Sequence, residues 1–112
     1  MEFPMTMFVT VCKEDEGFAA HALDFDIVSV AASEEEAVTK MRVAVTHYIE
    51  YGLNNNLDAE ILYPAPEEFW NKIPKDAPIK MMEPITVKDK RLLVVQTVPV
   101  THGSVRPAAA MA

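Results

Sequence analysis

The chain contains a single cysteine, Cys12, and three glycines, Gly17, Gly52 and Gly103. One cysteine excludes an internal disulfide framework, and no His/Cys cluster has the spacing of a zinc site. The scattered glycines form no phosphate-cradling loop, so no nucleotide cofactor is expected. Basic residues are scarce as well: 10 Lys and Arg stand against 17 Asp and Glu, giving a formal charge of -7 and a pI near 4.8. That is the wrong sign for a field that gathers phosphate backbones, and no direct nucleic-acid binding is expected. No apolar run has the length of a membrane span, and the opening MEFPMTMFVTV lacks the basic region of a signal peptide. The expected compartment is the cytoplasm, without membrane attachment.

What is present suits a small globular protein. At 112 residues and 12.5 kDa, with 50% hydrophobic and 24% charged residues, the chain has material for one hydrophobic core. Its charge is uneven. Residues 1–60 carry 12 acidic and 3 basic side chains, a net of -9, whereas residues 61–112 carry 5 and 7, a net of +2. An acidic half of this kind attracts a basic partner or a cation, and equally keeps a domain soluble.

Between Met5 and Lys13, Met7, Val9 and Val11 alternate with Phe8, Thr10 and Cys12, the period of a strand. Cys12 in that run reads as a small buried hydrophobe, since no neighbouring His or Lys activates its thiol. Glu14-Asp15-Glu16-Gly17 then predicts a polar turn ending in a residue that tolerates positive φ, and Phe18 to Leu23 a second strand. A break at Asp24-Phe25-Asp26 leads to a third, Ile27 to Ala31. Ser33-Glu34-Glu35-Glu36 has the form of a capping box, with three carboxylates opposing the helix dipole. Ala37, Val38, Met41, Ala44, Val45, Tyr48 and Ile49 follow at helical spacing, and Gly52 stands where a C-terminal cap belongs. This predicts a helix from Glu34 to about Tyr51.

Beyond Asn54-Asn55-Asn56, Ala59 to Tyr63 is read as a short strand. Seven of the eight prolines lie between Pro64 and Pro107, which excludes a long helix there. One or two helical turns are expected at Glu67 to Lys72, with Phe69 or Trp70 anchoring them to the sheet. Pro84 to Val87 and Arg91 to Val98 read as a hairpin, part of the single domain or its dimer interface. The second of these strands is apolar enough that the chain must hide it in its own sheet or against a second copy. The fold class expected is α+β: an antiparallel sheet in β-β-β-α order with one main helix on it, a domain over residues 1–63, and a proline-rich extension over 64–112 with a hairpin at 84–98.

Phe8-Val9-Thr10-Val11, the turn Glu14-Asp15-Glu16-Gly17, Phe18-Ala19-Ala20, Asp24, and Ser33-Glu34-Glu35-Glu36-Ala37 at a helix start together resemble the HicB-like antitoxin family over about residues 5–52. The resemblance implies a partial ribonuclease-H-like fold, three antiparallel strands followed by a helix, and a small basic ribonuclease toxin of the HicA type as partner. Family members commonly end in a DNA-binding module. Residues 64–112 offer no helix long enough for one.

No catalytic, cofactor-binding or metal-binding residues are expected, and the chain is read as a non-catalytic binding domain that forms homodimers. The partner-binding residues expected are Glu14, Asp15, Glu16, Asp24 and Asp26. An alternative is a metal-dependent nuclease relic holding a cation with Asp15, Asp24, Asp26 and Glu36. A structural oligomer is another. His21 lacks a nucleophile at any recognisable spacing, and reads as a packed or surface histidine. His47 falls on the polar side of the helix and His102 near the end of the chain.

Overall fold

A computed structural model describes residues 6–57, 60–71, 73 and 78–97. Strand β1 (Thr6–Glu14) and β2 (Gly17–Ala22) form a hairpin, β3 (Ile27–Ala31) follows antiparallel to β2, and helix α1 (Glu34–Asn54) crosses back over the sheet. A one-turn helix α2 (Glu67–Asn71) precedes β4 (Ile79–Val87) and β5 (Lys90–Thr97), which form a second hairpin. All five strands belong to one sheet in the order β3-β2-β1-β5-β4.

The α+β class and the β-β-β-α order are as the sequence predicts, but the sheet is mixed rather than antiparallel. β5 runs parallel to β1, with Thr6 opposite Leu93 and Val9 opposite Gln96. The apolar strand is therefore hidden inside its own sheet, flanked by β1 and β4. Pairing on both sides satisfies its backbone groups, which an edge position would leave open.

Three further expectations are corrected. β4 begins at Ile79 instead of Pro84, and the register shift between Met82 and Ile85 accommodates Pro84, which has no N–H to donate. No strand forms at Glu60 to Tyr63. That stretch is instead held by Tyr48, whose hydroxyl donates to the Ile61 carbonyl at 2.7 Å, and by Tyr63 N–H donating to the Asp24 carbonyl at 3.1 Å. Gly52 is not the helix cap: α1 continues to Asn54, and the Asn55 N–H closes the end on the Tyr51 and Gly52 carbonyls. Gly52 lies against Ile61, and the absent side chain is what lets that segment approach the helix.

At the other end of α1 the Ser33 hydroxyl accepts from Glu36 N–H at 3.2 Å, as the capping pattern predicts. Met41, Val45 and Ile49 share one buried core cluster with Met7, Val9 and Val11 of β1, Ala20 and Ala22 of β2, and Leu92 and Val94 of β5. Small alanines on β2 allow the helix to sit close, and α1 packs mainly across β2 and β3 and also reaches β4. Cys12 is buried on the opposite face of the sheet. Among the described residues no helix is long and apolar enough to cross a membrane. His102 and the stretch from Val98 onward lie outside the described residues.

Candidate functional site

The strand directions decide which charged residues meet. Pairing of Phe18 with Ala31 brings the β1–β2 turn and the β3–α1 connection to the same end of the sheet. Gly17 is pressed so closely on β3 there that a Cβ would collide with the Ala31 carbonyl oxygen. That contact is what requires glycine, whose tolerance of positive φ is not used here, since no described glycine has positive φ. The result is an acidic end: Asp15 and Glu16 in the turn face solvent, and Glu34, Glu35 and Glu36 form the first turn of α1 beside them. Glu14 itself is buried.

Asp24 and Asp26 lie at the far end of β2, which at six residues spans roughly 20 Å. Both hold the fold locally. The Asp24 carboxylate accepts the Phe8 N–H at 2.7 Å, while Phe8 returns its carbonyl to Leu23 N–H at 2.9 Å, so this loop is laced to β1. Desolvation raises the Asp24 pKa above its ordinary value, against the lowering effect of the Phe8 hydrogen bond. Asp26, at φ 53°, reaches His21 with an Oδ1–Nε2 distance of 2.8 Å. His21 is 4% exposed, and burial lowers its pKa despite the carboxylate beside it. The ring is therefore neutral at pH 7, and because a carboxylate only accepts, Nε2 carries the proton. Phe69 meets this ring edge-on at 5.4 Å and Trp70 stacks obliquely on Phe8 at 6.4 Å, so both aromatic residues anchor α2 to the sheet as expected.

The structure thus separates the five acidic residues expected to meet a partner into two sets at opposite ends of β2. Only Asp15 and Glu16 belong to the solvent-facing acidic end. Nor does it gather Asp15, Asp24, Asp26 and Glu36, and among the described residues no three His, Cys, Asp or Glu side chains converge to hold a metal ion. His47 is exposed on α1.

Sequence reasoning overlooked one polar group at the edge of this end. Gln96 of β5 is 1% exposed, and its Nε2 donates to Glu34 Oε2 at 3.4 Å while its Oε1 has no partner among the described residues. A glutamine inside the apolar run Leu92 to Val98 was the available signal. Comparison with known proteins returned no matching protein-family model, curated protein or solved structure.

Proposed function

We propose that this chain is a non-catalytic protein-binding domain of the HicB-like kind, whose partner is a basic protein and which acts as an antitoxin against a small ribonuclease. The observation that supports this most is the acidic end itself. Five carboxylates from the β1–β2 turn and the start of α1 are brought to one end of the sheet, and three of them, Glu34, Glu35 and Glu36, were not among the residues expected to meet a partner. The β-β-β-α order is also the one the resemblance implies. Asp15 and Glu16 then serve recognition, whereas Glu14, Asp24 and Asp26 serve the fold.

The test is association with a basic protein encoded beside this one. Attraction between unlike charged surfaces acts mainly on the association rate and is screened over about 8–10 Å at ordinary salt. The rate should fall by roughly tenfold or more between low and high salt, and the triple variant Asp15→Asn, Glu16→Gln, Glu35→Gln should reproduce that fall at low salt. A rate indifferent to both would reject the acidic end as the recognition surface. Absence of any complex would reject the antitoxin reading.

The homodimer belongs to the same proposal, with a different seam from the one first expected. β5 is interior, so two copies would pair through β4, where Ile79 and Met81 are exposed.

A further inference from the structure

Beside the acidic end, α1 and β4 enclose an open groove of about 500 Å³. Its lining includes Glu34, Arg42, Lys80, Met82, Glu83 and Gln96. The groove has an unmet chemical demand. Gln96 is almost wholly buried, and among the described residues nothing donates to its Oε1. The amide cannot be reversed to cure this, because Nε2 must face the Glu34 carboxylate, to which it donates at 3.4 Å.

The group that completes the site must therefore donate hydrogen bonds, and the charged groups beside Gln96 are the Glu34 carboxylate, to which Nε2 donates, and Lys80, its partner across the β4–β5 ladder. The cations already present are otherwise engaged or loosely held. Arg42 donates from Nη2 to the Pro84 carbonyl at 3.3 Å, and Lys80 stands 4.0 Å from Glu34 with half its side chain exposed. Such an ion pair at the surface is weak, and one with a better donor geometry displaces it readily. A guanidinium offers five donors in a plane, enough to bridge the Glu34 carboxylate and the Gln96 carbonyl together. Oε1 is screened from solvent, so a donor reaches it only if neighbouring side chains move, and Lys80, directly opposite Gln96 across β4 and β5, is half exposed and able to do so.

We infer that the groove between α1 and β4 is a binding site for an arginine side chain presented by a basic protein. This rests on the reading of the chain as a binder of basic proteins, and it names where that partner is gripped rather than merely attracted.

The experiment is titration of the isotopically labelled full chain with N-acetyl-arginine methylamide, followed by NMR, with the neutral citrulline analogue in parallel. Saturable shifts of the Gln96 side-chain amide and of the Glu34, Lys80 and Met82 backbone amides are expected with arginine and not with citrulline. Glu34→Gln should weaken the binding by about tenfold. Gln96→Met, which removes the orphan carbonyl at similar volume, should keep cooperative unfolding and lose the saturable shifts. Equal shifts with citrulline, or undiminished arginine binding in folded Gln96→Met, would overturn the inference. Shifts confined to Asp15 and Glu16 would overturn it while leaving the basic-partner reading standing. No shift anywhere on the acidic end or in the groove would count against both.

Discussion

Two single residues carry constraints that their types alone do not reveal. Gly17 is needed because β3 passes too close for any side chain, so Gly17→Ala must push the Ala31 backbone away and loosen the β2–β3 pairing. The expected cost is about 2 kcal/mol or more, well above the roughly 1 kcal/mol scale of glycine's intrinsic propensity, and a denaturant titration measures it. A cost near zero would mean that the close approach is easily relaxed. His21 poses a question of sign. Its folded pKa is depressed below 6.5, chiefly by desolvation, so the unfolded chain binds the proton more readily. The stability it contributes is present above 6.5 and is lost as the pH falls through that value toward the folded pKa. Urea midpoints measured from pH 7.5 downward should begin to decline near 6.5. His21→Phe, which keeps a ring against Phe69 and cannot titrate, should flatten that part of the profile; an unchanged slope would assign the decline to other groups.

Among the elements, α1 divides its energetics unequally between its faces and its end. Met41 is fully buried against the sheet, so Met41→Asp places an unpaired carboxylate in the core and should cost several kcal/mol. Ser33→Ala removes one hydrogen bond at an exposed helix end and should cost about 1 kcal/mol. Chemical denaturation of the two variants, read as a difference, checks the assignment; equal costs would contradict the amphipathic packing. This helix and the first three strands were legible in the sequence because each rests on local pattern: the period of two in Phe8 to Cys12, the cap at Ser33, the stripe from Ala37 to Ile49. The β1–β5 pairing was not. It joins Thr6 to Leu93 across most of the chain, and a parallel neighbour leaves no turn sequence to announce it. The continuation of α1 past Gly52 was hidden for a related reason, since the contact that makes glycine necessary there comes from Ile61 and not from the helix itself. At the candidate site the carboxylates were visible as residue types. Their grouping depended on strand direction, which joined Asp15 to Glu34 and parted it from Asp24.

At the scale of the molecule, the mixed sheet determines which surfaces remain for a second copy. Burying β5 between β1 and β4 leaves β3 and β4 as the two edges, and an edge presents unpaired backbone donors and acceptors. β3 has five residues, with Val30 43% exposed, whereas β4 has nine, with Ile79 55% and Met81 63% exposed. The second half of β4 is interrupted by Pro84, which cannot donate to a neighbouring strand. Pairing between copies is therefore expected along Ile79 to Met82, with Met81 near the seam. Sedimentation at micromolar concentration should give a dimer mass, and Ile79→Lys with Met81→Lys should weaken association by at least about tenfold, since like charges would meet across the interface. Because both side chains are exposed in the single chain, the double variant should unfold with nearly the parent's free energy, within roughly 0.5 kcal/mol per site. A monomer mass for the parent would reject the dimer. A dimer indifferent to the two lysines would place the interface on some surface other than β4.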